Sequence, residues 1–76
     1  MFFNFDSEGR VLGCCYPIGD IQVMVSYTYK DDIVRVIAFA DEYCVEDRQF
    51  RFTNNSSKGF TEFHGYYFKG VTVDTL

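Results

Sequence analysis

The stretch IQVMVSYTYKDDIVRVIAFA, residues 21–40, decides the fold class. Ile21, Val23, Val25, Tyr27 and Tyr29 alternate with Gln22, Met24, Ser26, Thr28 and Lys30, and side chains alternating over ten residues belong to a β-strand with one buried face. A second β-branched run begins after Asp31-Asp32. Pairing Lys30 with Ile33 sets Tyr29 opposite Val34, Tyr27 opposite Val36 and Val25 opposite Ala38, which makes one face wholly apolar. A slip of one residue would bring Arg35 onto that face, so the pattern itself selects the register. Asp-Asp is a tolerable two-residue turn, though Asn-Gly or Asp-Gly would serve better.

The same reading extends outward. MFFNF and VLGCCY form a hairpin joined by Asp6-Ser7-Glu8-Gly9-Arg10, with Gly9 available for a left-handed position. Strict alternation there places Cys15 with Phe3, Phe5 and Val11, and Cys14 with Phe2 and Leu12. Pro17 and Gly19 are expected to end the second strand. Residues 41–48, rich in acids and without alternation, suit either a short helix or an irregular polar strand, and the strand is favoured. FRF at 50–52 continues it, TNNSSKG is a loop, and FTEFHGYYFKGVTV is expected to be one long strand bent at Gly65 and Gly70. The expectation is a single, mainly β domain spanning residues 1–76, built as a small antiparallel sheet or half-open barrel of five or six strands.

Composition narrows the function. Hydrophobic residues make up 47% of the chain and aromatics 20%, too apolar for a disordered segment. The formal charge of −4 disfavours phosphate backbones and anionic membranes, whose affinity comes from Lys and Arg, and favours a protein partner with a basic surface. No apolar run is long enough to span a bilayer and the N-terminus lacks a basic start and apolar stretch, so a cytoplasmic location is expected.

Catalytic and metal chemistry find few residues to use. Cys14 and Cys15 are adjacent, so on a strand they point to opposite faces and cannot jointly hold an ion. With Cys44 and His64 they form no CxxC or HxxxH spacing, and the odd thiol count argues against a disulfide framework. The cysteines are read as packing residues. His64 lies alone on an aromatic strand, without a nucleophile elbow or a phosphate-cradling glycine loop anywhere in the chain. No enzyme, cofactor or metal is therefore expected.

Two features exceed plain solubility and core packing. Asp31, Asp32, Asp41, Glu42, Glu46 and Asp47 are expected to form one negative end of the sheet. In GFTEFHGYYFKG both faces of a strand carry rings, with Phe60, Tyr66 and Phe68 on one and Phe63 and Tyr67 on the other. The six acids together with Tyr66 and Tyr67 are the candidate partner-binding set. They indicate a small acidic inhibitor or adaptor that occludes a basic, often nucleic-acid-binding, surface, as phage and mobile-element anti-defence proteins do. The alternative is a structural subunit, for example of a virion or tail, in which the aromatic strand mediates homo-oligomer formation.

Overall fold

A computed structural model describes residues 1–76. It contains eight strands and no helix: β1 (Phe2–Phe5), β2 (Val11–Ile18), β3 (Ile21–Lys30), β4 (Ile33–Ala40), β5 (Tyr43–Asn54), β6 (Phe60–Phe63), β7 (Tyr66–Lys69) and β8 (Val71–Asp74). Six form one antiparallel sheet in the order β1-β2-β3-β4-β5-β8, curled into a half-barrel, and β6-β7 is a separate hairpin. The half-barrel is the architecture that alternation implied.

The central hairpin has the register the apolar pattern requires. Lys30 opposes Ile33, Tyr27 opposes Val36 and Val25 opposes Ala38. The resulting concave face buries Val23, Val25, Tyr27, Val34, Val36 and Ala38. Each two-residue turn starts at positive φ, with Gly19 at 58°, Asp31 at 56°, Asp41 at 53° and His64 at 52°. That sign matches the turn to the right-handed twist of its strands, and aspartate is among the few side chains that tolerate it.

The first hairpin departs from strict alternation. Phe3 opposes Cys14 and Phe5 opposes Val11, with a register shift that leaves Leu12 as the extra residue. This bulge turns both Val11 and Cys14 into the core, although three positions separate them, and rotates Cys15 and Phe2 onto the convex side. The faces assigned to the two cysteines by alternation alone are therefore exchanged. Pro17 does not end β2 either, since it sits opposite Gln22 within the strand. The Gln22 amide and carbonyl both bond Asp41 on its far side, to the carboxylate and the amide respectively, so Pro17 and Gln22 form a pair without mutual hydrogen bonds. The proline nitrogen faces outward beyond the end of β1, where no amide is needed.

Residues 41–48 hold no helix: Asp41-Glu42 is a turn and β5 starts at Tyr43. A second bulge, with Val45 as its extra residue, explains the missing alternation. The C-terminal aromatic stretch is three strands rather than one. His64-Gly65 reverses the chain between β6 and β7, and Gly70, at φ 74°, redirects it so that β8 pairs with β5.

The β6-β7 hairpin closes over the concave face. Phe68 is fully buried, edge-on to Tyr27 at 5.3 Å and Phe50 at 6.3 Å. Because Phe63 opposes Tyr66, it shares the inward face with Tyr66 and Phe68, whereas Phe60 and Tyr67 turn toward Phe3 on β1. Phe60 and Phe63 have thus traded the faces that a continuous strand would give them. At the far end the β1–β2 loop is braced by Asp6, which accepts the amides of Glu8 and Arg10 and the Arg10 guanidinium. Burial alone would raise the Asp6 pKa, but these bonds together hold it below the usual carboxylate value.

Candidate functional site

Consecutive hairpin turns in a meander alternate between the two ends of the sheet. The β2–β3 turn, Gly19-Asp20, and the β4–β5 turn, Asp41-Glu42, therefore share one end, and Asp31-Asp32 lies at the other. Eight residues of β4 separate them, about 25 Å of extended chain. The six predicted acids consequently do not gather. Asp32 stands 3.5 Å from Arg51. Asp47 turns to the convex face, where Arg35 contacts both of its oxygens at 2.9 and 2.6 Å. The hydrogen bond from Arg35 holds the Asp47 carboxyl below its ordinary pKa.

What does gather is a different set. Asp41 ties the two turns at its end together: its amide donates to the Gln22 carbonyl at 2.8 Å, and its carboxylate accepts the Gln22 amide at 3.0 Å. Beside this junction the mouth of the half-barrel opens as a groove of about 370 Å³ between the sheet and the β6–β7 turn. Tyr16, Ile18, Ile21 and Val45 supply apolar walls, and Glu46, His64 and Tyr66 are the polar groups in its lining. Ile18, Ile21 and Val45 are exposed at the lip. With Asp20, Asp41 and Glu42 on the adjoining turns, the groove has four carboxylates around or within it.

Tyr66 and Glu46, both in the predicted binding set, meet here. The Tyr66 hydroxyl donates to Oε1 of Glu46. Burial of the phenol, reinforced by that carboxylate, pushes the Tyr66 pKa well up. No Lys or Arg nitrogen lies within 4.0 Å of the Glu46 carboxylate; Arg48, two residues on, instead lies over the Phe50 ring at 5.1 Å. His64 stacks on the same ring, 5.5 Å away at an interplanar angle of 18°. Tyr67 is outside the groove, partly exposed against Phe3. Asp20, Ile18 and Ile21 were absent from the predicted set, yet turn alternation was sufficient to place them beside Asp41.

The convex face carries a second feature. Phe2, Cys15, Met24, Phe39 and Cys44 stand directly opposite one another across five strands, forming a continuous apolar row. Phe2 is 79% exposed and Met24 56%. Gln22 Nε2 donates to Cys15 Sγ at 2.6 Å, while Cys14 is buried in the core, and that burial raises its pKa. No helix is long and apolar enough to cross a membrane.

Comparison with protein families, curated proteins and solved structures finds no match to this chain.

Proposed function

We propose that the chain is a non-catalytic binding protein that covers a basic surface of a protein partner, acting as an inhibitor or adaptor. The observation that supports this reading is the groove at the mouth of the half-barrel, where Asp20, Asp41, Glu42 and Glu46 surround exposed Ile18, Ile21 and Val45. Carboxylates around an apolar patch steer a basic surface into place, and the apolar contact then slows its departure. The binding set is accordingly Asp20, Asp41, Glu42, Glu46 and Tyr66, with Asp31, Asp32 and Asp47 outside it.

The test compares two charge-neutralised variants as baits for cytosolic protein. One carries Asn or Gln at Asp20, Asp41, Glu42 and Glu46; the other carries Asn at Asp31, Asp32 and Asp47. A partner held by the parent at low salt should be lost with the first variant and kept with the second. Its association with the parent should slow about tenfold or more as salt is raised. Equal loss with both variants, or association insensitive to salt, would refute the reading.

A structural-subunit role is the second reading, favoured by the apolar row from Phe2 to Cys44 on the convex face. Exposed contiguous apolar surface of this kind marks contact sites. Met24→Lys would place a charge in the middle of the row and should dissociate an assembly held there, without affecting capture through the groove.

A further inference from the structure

Strand β5 is paired along its length on one side and only in part on the other. β4 covers it from Tyr43 to Arg51, whereas β8 pairs with Arg51, Phe52, Thr53 and Asn54 alone. The edge from Tyr43 to Phe50 has no partner strand, and all of it except Arg48 and Phe50 is exposed. Hydrogen-bond parity can be read from Phe52, whose amide donates to the Asp32 carbonyl on the β4 side at 2.8 Å. The backbone groups of Asp47 and Gln49, at odd offsets from it, therefore face the open edge.

We propose that this edge pairs with the same edge of a second copy of the chain, antiparallel about a two-fold axis at Asp47, joining two half-barrels into one continuous sheet. Parity restricts the choice of register, because outward-facing residues must oppose outward-facing residues. Three registers use most of the free stretch, centred on Glu46, Asp47 or Arg48. The first sets Glu46 against its own copy and the third sets Arg48 against its own copy. Only the register centred on Asp47 pairs Glu46 with Arg48 of the second copy, and does so twice on the concave face. The free stretch runs from Tyr43 to Phe50 and ends where β8 begins to cover β5.

The residues at the axis suit this arrangement. Asp47 would face Asp47 of the second copy on the convex side, but each carboxylate is already engaged by Arg35 of its own chain. Glu46 uses Oε1 for the Tyr66 hydroxyl, which leaves Oε2 for the incoming guanidinium. Charges on an edge strand ordinarily discourage pairing. Here they penalise the two neighbouring registers and favour one, as cross-strand charge pairs do within a sheet. The inference does not depend on the basic-partner reading, since Asp20, Asp41 and Glu42 stay free in the dimer.

Sedimentation and light scattering from about 1 µM to 1 mM, the range expected of an interface below standard size, test the proposal. The parent should pass from monomer to dimer within that range. Gln49→Pro removes an amide that faces the open edge and spares the β4 ladder, a position where proline is tolerated; it should weaken dimerisation at least tenfold. Glu46→Arg and Arg48→Glu should each be monomeric alone, because each turns both cross-pairs into like charges. Mixed together they restore both pairs and should form a heterodimer, which also shows that both variants are folded. A parent that is monomeric throughout, a dimer unaffected by Gln49→Pro, or a mixture that fails to associate would each overturn the proposal.

Discussion

Replacing Phe68 by Ala tests how the aromatic hairpin is seated. Phe68 is 0% exposed, lies edge-on to Tyr27 and Phe50, and is the largest contribution of β7 to the core. Truncating a buried phenylalanine costs about 3–5 kcal/mol through lost transfer energy and the cavity left behind. A domain of this length has about 4–11 kcal/mol in all, at about 0.05–0.15 kcal/mol per residue. The substitution therefore removes about a quarter or more of the stability. With a urea dependence of about 1–1.5 kcal/mol per molar, typical of small domains, the unfolding midpoint should fall by about 2–5 M. Tyr67, the next residue, is 38% exposed and touches Phe3 at 6.2 Å, so Tyr67→Ala should cost only about 1 kcal/mol, a shift of about 1 M or less. Urea unfolding of both variants, followed by circular dichroism, is the assay. Equal losses, or a greater loss for Tyr67→Ala, would show that the hairpin presents its other face to the sheet.

Val25→Asp places an unpaired carboxylate on the apolar face of β3 and should cost at least about 3 kcal/mol; a parent-like melting curve would contradict the central register. Burial raises the pKa values of Tyr27, Tyr29 and Tyr66, with the Glu46 carboxylate adding to the shift at Tyr66. The unfolded phenols ionise near pH 10, so this contribution is fully present below about pH 10 and is lost as pH rises further. Urea midpoints measured along a pH series should fall above that point, and midpoints unchanged to about pH 11.5 would contradict the burial of these rings. Iodoacetamide should modify exposed Cys44 first, Cys15 more slowly and buried Cys14 only on unfolding; peptide mapping by mass spectrometry gives the order, and early labelling of Cys14 would contradict the bulge that turns it inward.

The parts of the fold legible in the sequence are those where period two runs unbroken. From Ile21 to Ala40 nothing interrupts the alternation, and faces, turn and register all follow from it. Alternation misled wherever one residue was inserted. Leu12 shifts the parity between Val11 and Cys14, and Val45 removes the alternation from the start of β5, which is why a helix competes there with the favoured strand; a bulge leaves no mark in a pattern of apolar and polar letters. In FTEFHGYYFKGVTV the glycines were visible as breaks, but reversal at His64-Gly65 differs from a bend only through positive φ at a histidine, which composition does not announce. The acids were misplaced for a different reason. Proximity in sequence does not carry over to proximity in space here, because the two turns at Asp31 and Asp41 are separated by the full length of β4. Glu46 and Tyr66 each stand out in their own segment of the sequence, but the hydrogen bond that joins them depends on how the hairpin docks.

The order β1 to β5 is a run of neighbours joined by short turns, so most pairings in the main sheet form between segments already close along the chain. Such topologies lose little chain entropy on closing and fold fast. The pairing of β8 with β5 is the exception, since residues 55–70, including a complete hairpin, intervene. By this argument β8 is the strand of the main sheet whose pairing costs the most chain entropy, and it is expected to join late. Its departure would lengthen the bare edge of β5 from Tyr43–Phe50 to Tyr43–Asn54, and with it the template offered to other chains. The resistance of this protein to misassembly during synthesis and heating therefore depends on the four-residue strand Val71–Asp74, which contributes little to the core beyond Val71 yet shields the longest strand of the sheet.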